Sequence, residues 1–229
     1  AGWMKLNDTK LKAHGIDFFT DTQVWIPQIQ TSQGGVQTDS EGATCVPGLY
    51  AVGTAQSHLV GVYFGGFSLC QAATSGHDTG LAAGAYAASK PLPSFDLAFA
   101  EHCLDQELAH LGKTGIMPKD MDISVLEVVT ASDVSIIKSA VALNRALSQI
   151  TDIRADLIPA MAAPDAHYLG KMIEARGMAT LTEAFIRASL TRTESRAGHF
   201  REDYPDRDES TPPYWVVLSM EDGKMKTHK

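Results

Sequence analysis

The apolar positions divide the chain into a strand-like first part and a helical second part. Short apolar runs at residues 24–26, 36–38 and 49–52 are bounded by glycine, proline or turn residues, a pattern typical of β-strands. The run at residues 49–52 is stopped by Gly53 and has no polar alternation. It therefore predicts a buried strand in a sheet that is covered on both faces.

A glycine-led helix of small residues follows this strand. Gly65 and Gly66 lead into an alanine- and glycine-rich stretch that reaches about residue 88, before Pro91. A strand, a glycine loop and a helix start are a common means of bringing backbone N–H groups against a cofactor. Tight packing of a helix on a sheet selects the same composition, so the pattern alone leaves both interpretations open.

Helical periodicity dominates the chain from residue 94 onward. Ser94 is a suitable N-cap for an amphipathic helix over residues 95–111. Residues 122–150 predict two helices that meet near residues 130–133. Residues 152–161 and 165–190 predict two more, separated by prolines. Four or five helices in sequence indicate a helical bundle.

The tract at residues 191–210 is charged and contains four arginines and six carboxylates. A solvated loop is one interpretation. The interspersed Gly198, His199, Phe200 and Tyr204 favour the other, a folded lattice in which arginines hold carboxylates in bidentate pairs. Beyond it, residues 214–220 predict a strand and residues 221–224 a turn. The residues left after the turn are predicted to be too few to complete the returning strand.

Composition and charge exclude several classes of function. The 229 residues carry a formal net charge of −8, which argues against binding to nucleic acid or to an anionic membrane surface. Cys45, Cys70 and Cys103 are widely spaced and have no histidine at ligand spacing, so neither a metal site nor a disulfide framework is expected. These features, with no membrane-spanning run, predict a protein of the reducing cytoplasm.

The first residues show a helix followed by a glycine and an Ile/Phe pair, which usually occurs in the middle of a domain. One interpretation is that the fold begins in another polypeptide or in a removed segment. The alternative is a frayed terminus.

Four segments stand in the order of one known family. They are GGVQTD at residues 34–39, VPGLYAVG at residues 46–53, the glycine-led helix, and RTESRAGHFREDYPDRDE at residues 192–209. Together they resemble the C-terminal half of the succinate dehydrogenase/fumarate reductase flavoprotein family, which includes L-aspartate oxidase and the adenylylsulfate reductase flavoprotein subunit. The resemblance covers nearly the whole chain from about Val24, and the long charged motif makes it specific.

The resemblance implies an α/β fold with four parts. Residues 1–38 resemble the end of the capping domain and the return to the FAD domain. Residues 39–90 resemble the C-terminal strands of the Rossmann-like FAD-binding domain. A helical domain at residues 91–190 and a charged loop with a terminal β-hairpin at residues 191–229 complete the expected fold.

FAD is the cofactor that the resemblance implies. The helix start would direct its backbone N–H groups at the pyrimidine edge of the flavin, where the reduced ring carries negative charge. Thr54 stands where the family has a glutamate that bonds the ribityl chain. The residues assigned to the cofactor on this basis are Gly53, Thr54, Gly65, Gly66, Ser68 and Leu69.

Two substrate-side positions depart from the family. Tyr63 stands where the family has a substrate-binding arginine, and Gln30 stands where it has a substrate-contacting histidine. A dicarboxylate substrate such as succinate or fumarate is therefore less expected, since a phenol and an amide suit a neutral or aromatic substrate better. His58 is a candidate replacement polar group. Tyr63, Gln30 and His58 are thus the candidate catalytic residues, and each has packing or solvent exposure as its alternative.

The dinucleotide fingerprint G-x-G-x-x-G does not occur in the 229 residues. The chain is therefore expected to be the C-terminal portion of a split FAD-dependent oxidoreductase, with a second chain that carries the fingerprint and the cap. Two alternatives remain open: a non-catalytic, partner-binding remnant of the family, and an adenylylsulfate-reductase-like flavoprotein that works with an iron–sulfur subunit.

Overall fold

The computed structural model describes residues 2–17, 19–22, 34–56, 67–92 and 94–229. It divides the chain into two compact units, residues 1–30 and residues 31–229. The first unit contains helix α1 (Gly2–Ala13), which confirms the helix expected in the first residues and is followed by Gly15 at a φ of 76°. The strand predicted at residues 24–26 lies outside the described residues.

The described part of the second unit contains six helices and four strands. The helices are α2 (Phe67–Ser89), α3 (Leu97–Leu108), α4 (Pro118–Thr130), α5 (Ser132–Ser135), α6 (Ala140–Asp152) and α7 (Ala166–Thr191). The strands are β1 (Ile137–Lys138), β2 (Phe200–Arg201), β3 (Val217–Glu221) and β4 (Lys224–His228). Strands β1 and β2 pair in parallel, and β3 and β4 form an antiparallel hairpin. In this part of the chain, no helix is long and apolar enough to cross a membrane.

Helices α4, α6 and α7 form the core and confirm the predicted bundle. Their facing apolar side chains exclude water completely at the core positions Met121, Leu143, Ile150 and Ile186. The predicted break near residues 130–133 is also confirmed, because α4 ends at Thr130 and a separate turn, α5, follows. The helix predicted at residues 152–161 is instead a π-turn (Ile153–Leu157) that continues α6.

Helix α3 carries the predicted apolar stripe but none of its residues is buried. Its N-cap is Asp96 rather than Ser94, since the Asp96 carboxylate accepts a hydrogen bond of 2.9 Å from the Phe99 amide. The Phe99 side chain is 66% exposed. An ion pair between Glu107 and Arg176 of α7 ties the helix to the bundle. The stripe therefore has no apolar partner among the described residues.

The predicted strands at residues 36–38 and 49–52 are not regular strands. Val36 forms one parallel bridge with Gln56, and Tyr50 forms one antiparallel bridge with Ala43. Leu49 is 52% exposed, although the pattern predicted burial on both faces. The prediction of a buried strand was wrong for this structure because a strand requires neighbouring strands, and the described residues supply only single bridges.

The C-terminal hairpin is complete, contrary to the expectation from the sequence. Strand β3 begins at Val217, three residues after the predicted start, and all five of its residues pair with β4. Asp222 and Gly223 form the turn with φ values of 51° and 72°, as a two-residue hairpin turn requires. Five residues were enough for the returning strand because a tight turn places them directly opposite their partners.

The charged tract at residues 191–210 folds around an ion-pair lattice, as one of the two interpretations predicted, and its residues 202–207 are exposed. The Glu194 side chain is 3% exposed and pairs with Arg192 and Arg196. The Asp208 amide donates a further hydrogen bond of 3.1 Å to the same carboxylate. These donors, Arg196 foremost, lower the pKa of Glu194 to about 2 despite its burial. Glu194 is therefore the anionic centre of the lattice.

Arg201 is the second centre of the lattice and is 1% exposed. Its guanidinium donates two bonds of 2.8 and 2.7 Å to the Asp203 carboxylate. It also donates to the carbonyl oxygens of Ser189 and Arg192, at the C-terminus of α7. A cation at this end of a helix is favoured by the helix dipole. Arg201 thus joins the lattice to the bundle.

Lys138 is directly opposite Arg201 in the parallel β1–β2 pair and is 2% exposed. Its ammonium donates to the Ser135 carbonyl at 3.0 Å and lies 5.6 Å from the centre of the Phe185 ring. Burial, followed by the charge of Arg201, lowers the pKa of Lys138. Two cations therefore face each other in the interior, and in the described part of the chain only Arg201 has a carboxylate partner.

We expect Lys138→Met to raise the free energy of unfolding by about 1 kcal/mol. A methionine of similar length fills the same space without the cost of burying an unpaired charge next to a second cation. Urea denaturation of both proteins measures the difference. A loss of stability instead would show that the contacts with Ser135 and Phe185 outweigh the cost of desolvation.

Candidate functional site

Residues 34–56 lie along one face of α2. A Cβ on Gly53 would meet the Ala72 methyl at 3.2 Å, and one on Gly42 would collide with the Thr79 side chain. Both glycines have positive φ values, 59° and 80°, so backbone conformation and close approach to the helix both favour glycine. Ala72 and Thr79 are seven residues apart and share one face of the helix. This face of α2 is occupied by the preceding segment.

A short 3₁₀ turn, Gly53–Ala55, is fixed to the beginning of α2. The Gly53 amide donates to the Ser75 hydroxyl at 3.1 Å, and this hydroxyl donates to the Gln71 carbonyl at 2.7 Å. Thr54 is exposed at the tip of the turn. Because the Gly53 amide already donates to Ser75, Gly53 contributes only the shape of the turn to a ligand site. Thr54 supplies the accessible hydroxyl.

The N-terminus of α2 is open in the described part of the chain. The first amides of a helix have no acceptor within the helix, and here no described residue accepts from those of Phe67, Ser68 or Leu69. The Leu69 side chain is 79% exposed, and Ser68 is half-buried. Unpaired amides and the positive end of the helix dipole form an environment for an anionic or electron-rich group.

A chain of side-chain amides connects this helix start to the preceding segment, and sequence reasoning missed it. Gln71 Nε2 donates to Gln56 Oε1 at 3.4 Å, and Gln56 Nε2 donates to the Thr38 hydroxyl at 2.7 Å. Gln71 Oε1 is buried and has no hydrogen-bond partner among the described residues. The sign of these hydrogen bonds in the sequence was the presence of two glutamines among small and apolar neighbours. Their contact could not be deduced, since they are fifteen residues apart.

The described residues therefore bring together part of the predicted cofactor site. Thr54 and Gly53 lie in the turn that is bonded to α2, and Ser68 and Leu69 lie in the first turn of that helix. Their assignment to the flavin stays a prediction. The remaining predicted residues, Gly65, Gly66, Tyr63, Gln30 and His58, lie outside the described residues.

Two family models match the chain. The model for the C-terminal part of the fumarate reductase flavoprotein matches residues 124–227, and the model for an FAD-binding domain matches residues 7–68. The chain belongs to the succinate dehydrogenase/fumarate reductase flavoprotein family. FAD is the cofactor of this family, and the open helix start beside the Gly53 turn fits a flavin. The family consists of FAD-dependent oxidoreductases.

Similar proteins support the same assignment. The chain is 27% identical over 226 residues to L-aspartate oxidase of Streptomyces coelicolor, covering 91% of this chain and 36% of that protein. It is 31% identical over 199 residues to the fumarate reductase flavoprotein subunit of Mycobacterium tuberculosis, covering 80% of this chain and 34% of that protein. The chain thus spans about a third of the length of these relatives.

A solved structure confirms the fold. The Mycobacterium smegmatis Sdh1 complex in the apo form contains a chain that superposes with a TM-score of 0.82 at 24% identity. The match covers 95% of this chain and 39% of the other. The predicted fold class, an FAD-domain segment followed by a helical bundle and a hairpin, is confirmed.

Proposed function

We propose that this chain is the C-terminal portion of an FAD-dependent oxidoreductase and forms the pyrimidine-edge side of its flavin site. The observation that carries the proposal is the open N-terminus of α2 beside the Gly53–Ala55 turn, at the end of the segment matched by the FAD-binding domain model. FAD, when bound, supplies the redox chemistry. The chain's own residues bind and polarise its ring.

Each part of this site has a distinct role. The amides of Ser68 and Leu69, at the positive end of α2, stabilise negative charge on the pyrimidine edge. The Thr54 hydroxyl bonds the ribityl chain, more weakly than a carboxylate in the same position. The bond from the Gly53 amide to Ser75 holds the Thr54 turn at a fixed distance from the helix start.

We further propose that a second chain completes the site by supplying the dinucleotide fingerprint and the cap. Relatives of this chain are about two and a half times its length, so most of their length has no counterpart in residues 1–229. The unpartnered apolar stripe of α3 is consistent with such a partner, since large exposed apolar surfaces mark interaction sites.

The substrate proposed for this complex is neutral or aromatic rather than a C4 dicarboxylate. Tyr63 and Gln30 replace two groups that would hold a carboxylate, and a site without those charges loses strong charge-assisted hydrogen bonds. The competing possibility is an enzyme whose second chain supplies other cations that bind a dicarboxylate. Turnover measured with substrates of each class distinguishes the two possibilities.

Purification of the tagged chain from its native host tests this function. We expect it to elute with a larger polypeptide that carries G-x-G-x-x-G, and the complex to show the visible absorption bands of a flavin. The isolated chain is expected to show none. Iron in the complex would identify an iron–sulfur electron partner, as the adenylylsulfate-reductase-like alternative requires.

Two outcomes would overturn the proposal. Stoichiometric flavin on the isolated chain would exclude the split site. A complex without flavin would favour the non-catalytic remnant. Rapid oxidation of succinate or reduction of fumarate by the flavin-containing complex would refute the proposed substrate class and leave the flavin site intact.

A further inference from the structure

One buried oxygen near the start of α2 accepts no hydrogen bond. Gln71 is 8% exposed, and its Oε1 atom has no partner among the described residues. The two other unpaired buried oxygens in this part of the chain, on Asp8 and Asp122, belong to residues that are themselves partly exposed. An unpaired acceptor inside a protein is costly, so the Gln71 oxygen is consistent with a position where a donor binds.

The hydrogen bonds of the Gln71 side chain fix the orientation of its amide. Its Nε2 atom donates to Gln56 Oε1 at 3.4 Å, and Gln56 Nε2 in turn donates to the Thr38 hydroxyl at 2.7 Å. Gln56 is 2% exposed, so the middle of this chain of hydrogen bonds is shielded from solvent. With Nε2 directed at Gln56, the Gln71 carboxamide offers its oxygen to a further group.

This oxygen lies at the proposed flavin end of α2. Side chains on a helix lean towards its N-terminus and cover the preceding turn, so the Gln71 amide lies over the first turn of α2. Its partner, Gln56, directly follows the Gly53–Ala55 turn that is bonded to the same helix. The free acceptor therefore lies close to the open amides of Ser68 and Leu69.

The pyrimidine edge of a flavin requires both donors and an acceptor. Its two carbonyl oxygens, O2 and O4, accept hydrogen bonds, and N3–H between them donates one. The amides of Ser68 and Leu69 only donate, so they can pair with a carbonyl oxygen but leave N3–H without an acceptor. Gln71 Oε1 is a buried acceptor at this end of α2 that no described residue uses.

We infer that Gln71 is a flavin-binding residue whose Oε1 atom accepts the hydrogen bond from N3–H. This inference rests on the proposed function and adds an acceptor to the donors already assigned to the pyrimidine edge. Gln56 and Thr38 are positioning residues, because their hydrogen bonds hold the Gln71 amide with its oxygen free. A buried acceptor of this kind makes the site selective for a ring whose N3 atom carries hydrogen.

Comparison of FAD with 3-methyl-FAD, in which a methyl group replaces the N3 hydrogen, tests this inference. Each is added to the flavin-free form of the complex purified with the native partner, and the change in flavin fluorescence measures its affinity. The unsubstituted complex is expected to bind FAD at least about 10-fold more tightly, since methylation leaves the Gln71 acceptor unpaired. Equal affinities would overturn the inference.

Gln71→Met separates the hydrogen bond from steric exclusion of the methyl group. Methionine has a similar length but lacks the amide oxygen, so the affinity for FAD is expected to fall about 5- to 100-fold, because N3–H is left unpaired. The preference for FAD over 3-methyl-FAD is expected to shrink with it. Equal losses of affinity for both flavins would indicate a structural role and overturn the inference.

Gln71→Glu provides a conservative variant that retains an acceptor. The Gln56 amide can reverse to donate to the carboxylate, because the Thr38 hydroxyl can donate as well as accept. This variant is therefore expected to keep the preference for FAD, and a folded complex that has lost this preference would contradict the inference. It also tests the inference if Gln71→Met does not fold.

Gln149→Met supplies the matched control, since Gln149 is an exposed glutamine on helix α6. It is expected to leave both affinities unchanged. The inference and the proposed function fail in different ways. A complex that binds neither flavin would overturn the proposed function, whereas one that binds FAD and 3-methyl-FAD equally would overturn only the role of Gln71.

Discussion

Arg201→Met is expected to lower the free energy of unfolding by about 3–5 kcal/mol, because it leaves a carboxylate without its partner in a buried network. The Arg201 side chain donates to Asp203 through two nitrogens and to two carbonyl oxygens at the end of α7. Methionine replaces none of these donors. The carbonyls then lack both a hydrogen bond and a favourable charge.

Denaturant unfolding measures this loss, and Arg207→Met is its control. Arg207 belongs to the same tract and pairs with Glu209 at 2.9 Å, but its side chain is 55% exposed. Exposed ion pairs contribute little, so the control is expected to change stability by less than about 0.5 kcal/mol. Similar losses in the two variants would show that the lattice is not organised around Arg201.

Substitutions of Arg201 and Lys138 are expected to affect stability differently because the two side chains have different partners, not because they differ in burial. Both cations are almost fully buried and face each other across the β1–β2 pair. Asp203 compensates the first, whereas the second has a carbonyl and an aromatic ring. The same substitution by methionine is therefore expected to act in opposite directions at the two positions.

Helical periodicity predicted the bundle because its contacts repeat within each helix. Positions such as Leu143 and Ile150 are one heptad apart and lie on the same buried face of α6, so the spacing of apolar residues in the sequence indicates which face packs in the core. The arginine-rich tract was predicted as a lattice for a similar reason, since its partners are separated by only two residues at Glu194 and Arg196.

The strand at residues 49–52 and the amide chain at Gln71 could not be predicted in the same way. A strand depends on neighbours that are distant in sequence, and the bridge between Ala43 and Tyr50 is the pairing described for this stretch. The hydrogen bond between Gln71 and Gln56 depends on how the Gly53–Ala55 turn seats on α2. Neither arrangement leaves a periodic pattern in the sequence.

The sequence predicted only the local features of the candidate site, because only these leave a pattern in the sequence. A helix start after a glycine pair is a local feature, and α2 begins at Phe67 as the pattern indicated. The contacts that α2 makes with residues 34–56 depend on how that segment approaches the helix, which composition does not encode.

Acid unfolding is expected to proceed through two windows of pH, because one histidine and three carboxylates of the charged tract have lowered pKa values. Burial, with the nearby cations Lys138, Arg192 and Arg201, lowers the pKa of His199 from 6.5 to about 4. Between these values the unfolded chain binds the extra proton, so stability falls as the pH falls from 6.5 to 4. The expected loss is up to about 3 kcal/mol.

The second window belongs to the carboxylates. The pKa values of Asp203 and Asp208 are lowered from 3.8 to about 2, and that of Glu194 is lowered from 4.5 to about 2, chiefly by the hydrogen bonds from Arg196. Here too the unfolded state binds the proton first, so the stability present above pH 4.5 is lost as the pH falls towards 2. The expected loss from Glu194 alone is again up to about 3 kcal/mol. Two losses of this size exceed the reserve of many domains, so unfolding is expected before the second window is complete.

His199→Gln separates the two windows. Glutamine retains a donor for the Arg192 carbonyl, which His199 Nε2 contacts at 3.4 Å, but it does not titrate. Its unfolding free energy is expected to stay level between pH 6.5 and pH 5.5 and to fall below that, whereas His77→Gln, at a side chain that is 72% exposed, follows the unsubstituted profile. Urea unfolding at half-unit steps of pH measures both. A profile for His199→Gln that still declines between pH 6.5 and pH 5.5 would place the first window on another group, because Glu194 and Asp203 are almost fully ionised there in both states.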